Sequence, residues 1–220
     1  MGSTPLPMVQ LAPVSDDTRV AAVRRARQLA GWSLGWHAVE AAVAIGAGIV
    51  AGSVALVGFG ADSLVEMVAG FVVLWRFADS RSGSDSAERR AQQLIAVSFV
   101  LIAAYVGVES LRNLVDSARP DTSWVGIGLA IATLLTMPPL AMAKEKVAHR
   151  LGSSATASEG RQNMLCAYLA GALLVGLLAN TVLGWWWADP VVALGIAGVA
   201  LREARAAWRG ESCDCCAPVV

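Results

Sequence analysis

Long apolar stretches, separated by short polar or glycine-rich connections, make up most of the chain. They run over Leu29–Ala51, Val54–Trp75, Leu94–Leu114, Trp124–Ala143, Met164–Leu183 and Trp186–Ala206. Each is about 20 residues long, the length that carries a helix across about 30 Å of hydrocarbon at about 1.5 Å per residue. Only Gly52 and Ser53 separate the first two, which therefore form a tight helical hairpin. The next connections are RFADSRSGSDSAERRAQQ, VDSARPDTS and KEKVAHRLGSSATASEGRQ, and the last pair turns around GWWWADP. The pattern predicts an all-α integral membrane protein, a bundle of six transmembrane helices. Residues 1–28 read as a disordered, basic cytoplasmic N-terminus, 29–206 as the transmembrane domain, and 207–220 as a short Cys-rich cytoplasmic tail. The start of the chain is Pro-rich, without a charged region leading into an apolar core, and so does not read as a signal peptide.

Composition agrees with a membrane solvent. Residues are 56% hydrophobic and 15% charged, with a mean hydropathy of +0.57, against about 45–50% apolar and about 25% charged for a soluble domain. A net charge of zero argues against a nucleic-acid binder. The distribution of Lys and Arg sets the orientation. Arg19, Arg24, Arg25 and Arg27 precede the first span, and Arg76, Arg81, Arg89 and Arg90 join the second to the third. Lys144, Lys146, Arg150 and Arg161 join the fourth to the fifth, and Arg202, Arg205 and Arg209 end the sixth. With six spans all of these share one side, leaving Arg112 and Arg119 on the other. Both termini are thereby placed in the cytoplasm, and Trp185, Trp186 and Trp187 at the outer interface.

The candidate chemistry lies in charges within the spans. Asp62 and Glu66 stand four residues apart in the second, on one helix face. The first span adds Glu40 and His37 at a matching depth, counted back from the short turn. Three carboxylates at mid-membrane cost on the order of 7–10 kcal/mol by insertion scales, a penalty that usually persists for a function. Apart from Arg112, Arg202 and Arg205 close to span ends, no Lys or Arg lies inside a span, so a bound cation or protons must neutralise them; oxygen and nitrogen donors suit a divalent metal. Gln162 and Cys166 share one face of the fifth span, with Asn163 and Asn180 as further polar candidates. The same acids would also serve, protonated, as hydrogen-bonding links between helices. His37 reads equally as an interior histidine, and Cys166 as a small core residue. Cys166 counts as nearer the cytoplasmic end than the acids. Cys213, Cys215 and Cys216, beside Asp214, are expected to be reduced in the cytosol and suited to capturing a soft ion.

The stretch GSVALVGFGADSLVEMVAGFVVLWR resembles the second span of the cation diffusion facilitator transporters. ESLRNL, KEKVAHRLGSSA and WWWADPVVALGIA follow in the family's order, so the resemblance covers about residues 30–206. It implies efflux of a divalent cation in exchange for protons by alternating access. Zinc is the first expectation, with cadmium, cobalt, iron and manganese as others, and no permanent cofactor. It places Asp62 and Glu66 as the metal-binding pair and implies a homodimer in a bacterial-type inner or plasma membrane. The family's His-x-x-x-Asp of the fifth span is missing: Asn163 and Ala167, or Gln162 and Cys166, occupy those places. Glu40 or Cys166 is then expected to complete a different ligand set. The family's additional cytoplasmic domain is not expected here, where about 14 residues follow the sixth span. The alternative is a membrane metal-binding sensor without transport. An enzyme is not expected: GFGAD is similar to the Gly-x-Gly-Asp motif of intramembrane aspartyl proteases, but Ala61 intervenes and no second Asp lies at mid-membrane to complete a dyad.

Overall fold

A computed structural model describes residues 16–78, 85–151 and 154–209. Six helices run through them: α1 (Asp16–Ala51), α2 (Val54–Ala78), α3 (Asp85–Val115), α4 (Trp124–Leu151), α5 (Ser154–Leu183) and α6 (Ala188–Arg209). Four contain stretches long and apolar enough to cross a membrane: Val20–Ala51, Ala96–Val115, Trp124–Leu151 and Glu159–Leu183. The other two complete the bundle. In α6, Asp189, Arg202, Glu203 and Arg205 interrupt the apolar run. Helix α2 carries the acid pair and packs against α1, α3, α5 and α6.

The α1–α2 hairpin shows how local sequence sets this geometry. Ser53 N–H donates to the Gly48 carbonyl and Gly52 N–H to that of Ile49, the paired bonds of a helix end closed by a left-handed residue. Gly52 supplies that conformation at φ 65°. Ser53 then caps α2, its Oγ accepting from Leu56 N–H at 3.1 Å. Beyond the turn the two backbones approach closely. A Cβ on Gly60 would stand 2.9 Å from both Ala44 Cβ and Ile45 N, and one on Gly48 would stand 2.8 Å from Val57 N. Small residues at such crossings let transmembrane helices pack by direct contact.

The three short turns meet at one end of the bundle. Asp121 N–H donates to the Ala51 carbonyl at 2.8 Å, and Asn180 Nδ2 to the Pro120 carbonyl at 2.9 Å. Asp189, at the start of α6, accepts from Ser53 Oγ at 2.5 Å and from Ala55 N–H at 3.3 Å. Consecutive helices therefore run antiparallel. This is the end that the charge distribution places outside, and Trp185 and Trp187 stack there, half-exposed, with centroids 5.2 Å apart.

At the turn end the helices stop within a few residues of the predicted spans. At the opposite end α1, α3, α4 and α5 run on as polar helix. The described part of segment 1–28 is accordingly helical from Asp16, where an irregular lead-in was expected. Its charged and alanine-rich sequence extends a helix already anchored in the bundle. Phe59, Leu56, Val106, Met137, Leu173 and Ile196 fill the core. Helix α4 passes through Pro138 and Pro139, which supply no N–H to the carbonyls one turn earlier, those of Leu134 and Leu135.

Candidate metal-binding site

Four helices contribute polar side chains to one buried layer. Helical spacing puts Ser33, His37 and Glu40 on one face of α1, and Thr133, Met137 and Lys144 on one face of α4. Helix α2 supplies Asp62, Ser63 and Glu66; α5 supplies Gln162, Asn163 and Cys166. His37, Glu40, Asp62, Glu66, Asn163 and Cys166 are all buried, Glu40 and Cys166 completely.

His37 sits between two carboxylates. Its Nδ1 lies 3.2 Å from Glu40 Oε2 and 3.3 Å from Glu66 Oε2. Glu40 is held from three further directions. Ser63 Oγ donates to its Oε2 at 2.9 Å, Thr133 Oγ1 to its Oε1, and the Cys166 thiol approaches Oε2 at 3.6 Å. Glu66 Oε1 accepts from Gln162 Nε2 at 2.7 Å, while its Oε2 is buried without a hydrogen bond. Donor atoms of His37, Glu66 and Cys166 lie within 4.8 Å of one another, the group with metal-ligand chemistry among the described residues.

A second polar cluster adjoins the first toward the cytoplasmic end. Lys144 Nζ donates to Asn163 Oδ1 at 3.1 Å and pairs with Glu159 Oε2 at 3.1 Å. Asn163 Nδ2 reaches Ser33 Oγ at 3.2 Å and Met137 Sδ at 3.2 Å. The cluster ties α1, α4 and α5 together beneath the carboxylates.

Several expectations change against this geometry. Cys166 was counted as lying below the acids, yet its sulfur is in contact with Glu40, so α5 meets α1 at the carboxylate layer. Lys144, read as a cytoplasmic-side charge with no cation inside the bundle, is 2% exposed. Its flexible stem folds inward along α4 to reach Asn163 and Glu159. Asp62 is buried but stands outside the His37–Glu66–Cys166 group. It lies one turn nearer the turn end and in the electrostatic field of Glu40 and of Glu203 on α6. Asn180 belongs to the turn-end links. Cys213, Cys215 and Cys216 fall outside the described residues. Ser63 and Thr133 join the layer, and Ser33 the cluster beneath it, without having been singled out. A lone hydroxyl in an apolar helix carries no pattern, and its function shows only once a carboxylate from another helix is seen against it.

Carboxylates, an imidazole and a thiol from three helices thus share one buried layer inside an apolar bundle. Residues 34–209 match the cation efflux transmembrane domain, and the chain belongs to the cation efflux family, a family of transporters rather than enzymes. It is also similar to an uncharacterised transporter, sll1263, of Synechocystis sp. (strain ATCC 27184 / PCC 6803 / Kazusa), with 26% identity over 181 residues. That alignment covers 79% of this chain and 58% of the relative's length.

Proposed function

We propose that the chain exports a divalent metal cation from the cytoplasm in exchange for protons, with zinc as the first candidate. The observation that carries this reading is the convergence of Glu40 and Glu66 on His37 within the bundle, with Cys166 and Gln162 closing the layer from α5. Metal ligands must shed protons to bind, and carboxylates held away from water are costly as bare charges. A site of this kind therefore alternates between metal and protons. Glu66 takes up a proton as the metal leaves and releases it as the next ion loads. Asp62 adds negative charge one turn away. Cys213, Cys215 and Cys216 supply soft donors at the cytoplasmic end. The working unit in this reading is a homodimer in a bacterial-type plasma membrane, as the resemblance to the cation diffusion facilitators implies.

The test is uptake of zinc, cadmium, cobalt, manganese and iron into proteoliposomes under an imposed pH gradient, for the parent protein, Asp62→Ala and Glu66→Ala. Gradient-dependent uptake abolished in Glu66→Ala and reduced in Asp62→Ala is expected. Absence of flux for every metal, with binding intact in folded protein, would overturn transport and leave a membrane metal-binding sensor.

A further inference from the structure

We infer that His37, Glu66 and Cys166 together coordinate the cation, a nitrogen–oxygen–sulfur set drawn from α1, α2 and α5 that selects thiophilic and borderline ions over hard ones. It rests on the transport reading only in taking that cation as the transported one; binding is testable without flux.

Three observations support it. The first is spacing. Ligand bonds of about 2.0–2.3 Å in a tetrahedral site place neighbouring donor atoms about 3.3–3.7 Å apart. His37 Nδ1 and Glu66 Oε2 already stand 3.3 Å apart, and the Cys166 donor lies within 4.8 Å of both residues' donors. The second is an unmet need. Glu66 Oε1 is engaged by Gln162, whereas Oε2 is buried beside His37 with no hydrogen-bond donor aligned on it. A buried carboxylate oxygen in that state is costly unless a cation or proton satisfies it. The third is support around the ligands. Glu40, fixed by Thr133 and Ser63, contacts both the His37 ring and the Cys166 thiol. That contact falls on the same Nδ1 that faces Glu66, so Glu40 holds the ring in place in the empty site and yields the nitrogen to the metal. Glu40 is also placed to accept the thiol proton when the sulfur binds metal, so a metal–sulfur bond forms as the S–H bond breaks and the proton moves to a carboxylate oxygen.

Selectivity follows from the sulfur. Thiolate favours zinc, cadmium and cobalt over manganese and magnesium, for which oxygen-only sites are better suited. Asp62 then acts through its field rather than as a ligand.

The experiment uses cobalt as the probe, on the full chain with Cys213, Cys215 and Cys216 changed to Ser, which leaves Cys166 as the one remaining thiol. A thiolate-to-cobalt charge-transfer band in the near ultraviolet is expected, displaced by zinc or cadmium but not by manganese. Cys166→Ser should abolish the band, and His37→Gln or Glu66→Gln should weaken cobalt binding at least tenfold. Cobalt binding without the band in the protein with its core intact would overturn the proposal, with no dependence on how a core variant folds. A band that survives Cys166→Ser would overturn it equally. The band without flux would refute transport while upholding the site; flux without the band would do the reverse.

Discussion

The close crossing of α1 and α2 holds the carboxylate layer in register, and Gly60→Ala tests it. A Cβ at Gly60 would meet Ile45 Cγ1 at 2.8 Å and both Ala44 Cβ and Ile45 N at 2.9 Å. The isoleucine tip can swing away, but the alanine Cβ and the backbone nitrogen cannot. Carbon contacts settle at about 3.5–4.0 Å, so the helices must part by roughly 0.7 Å there. Ser63 lies one turn further along α2, with its Oγ 2.9 Å from Glu40 Oε2. The same displacement opens that bond to about 3.6 Å, beyond hydrogen-bond range. Overpacking of this kind costs about 1–3 kcal/mol. Gly46→Ala is the matched control, because a Cβ there meets nothing within 4 Å. Alanine is also the better helix former by up to about 1 kcal/mol. Thermal unfolding of the purified protein should show a lowered midpoint for Gly60→Ala and an equal or raised one for Gly46→Ala. Proteoliposome uptake should show weakened cation affinity for Gly60→Ala alone. Equal melting and equal uptake for the two variants would refute the argument that this crossing sets the site.

Thr133→Val keeps the shape of the side chain and removes the hydroxyl that donates to Glu40. A hydrogen bond to a charged acceptor contributes about 1.5–3 kcal/mol, so KM for metal uptake should rise by tenfold or more, with Thr133→Ser restoring it. An unchanged KM would separate Glu40 from the transport site. Lys144→Met leaves Glu159 and the Asn163 carbonyl without their cation. Breaking a fully buried pair costs about 3–5 kcal/mol; Glu159 reaches water at 19% exposure, which brings the expected loss to roughly 2 kcal/mol. Denaturant unfolding should show that loss in Lys144→Met and its recovery in the double variant with Glu159→Leu. A double variant no more stable than the single would show that the pair is not the source.

Helix count, hairpin pairing and turn-end boundaries were legible in the sequence because hydrocarbon imposes a strict rule on length and polarity. Gly52-Ser53 marks a turn wherever it falls between two apolar runs. The inner ends were not legible, since a charged stretch such as RVAAVRRARQ is helical only because the buried part of α1 has already met the cost of nucleation. Within the site, Glu40, Asp62 and Glu66 declared themselves by charge in an apolar setting. What stayed hidden was rotation and tilt. Whether Cys166 reaches Glu40 depends on how α5 leans against α1, and whether Lys144 faces water or Asn163 depends on where α4 meets α5. Neither follows from spacing along one helix.

The link between Asp189 and the start of α2 bears on how the chain is built. Ser53 and the N–H of Ala55 belong to the α1–α2 hairpin, yet the carboxylate that satisfies them arrives with α6, synthesised well after it. Until α6 docks, the end of α2 is open and Asp189 has no bonding partner from the hairpin. Docking of α6 therefore supplies the carboxylate that the start of α2 has lacked since the hairpin formed.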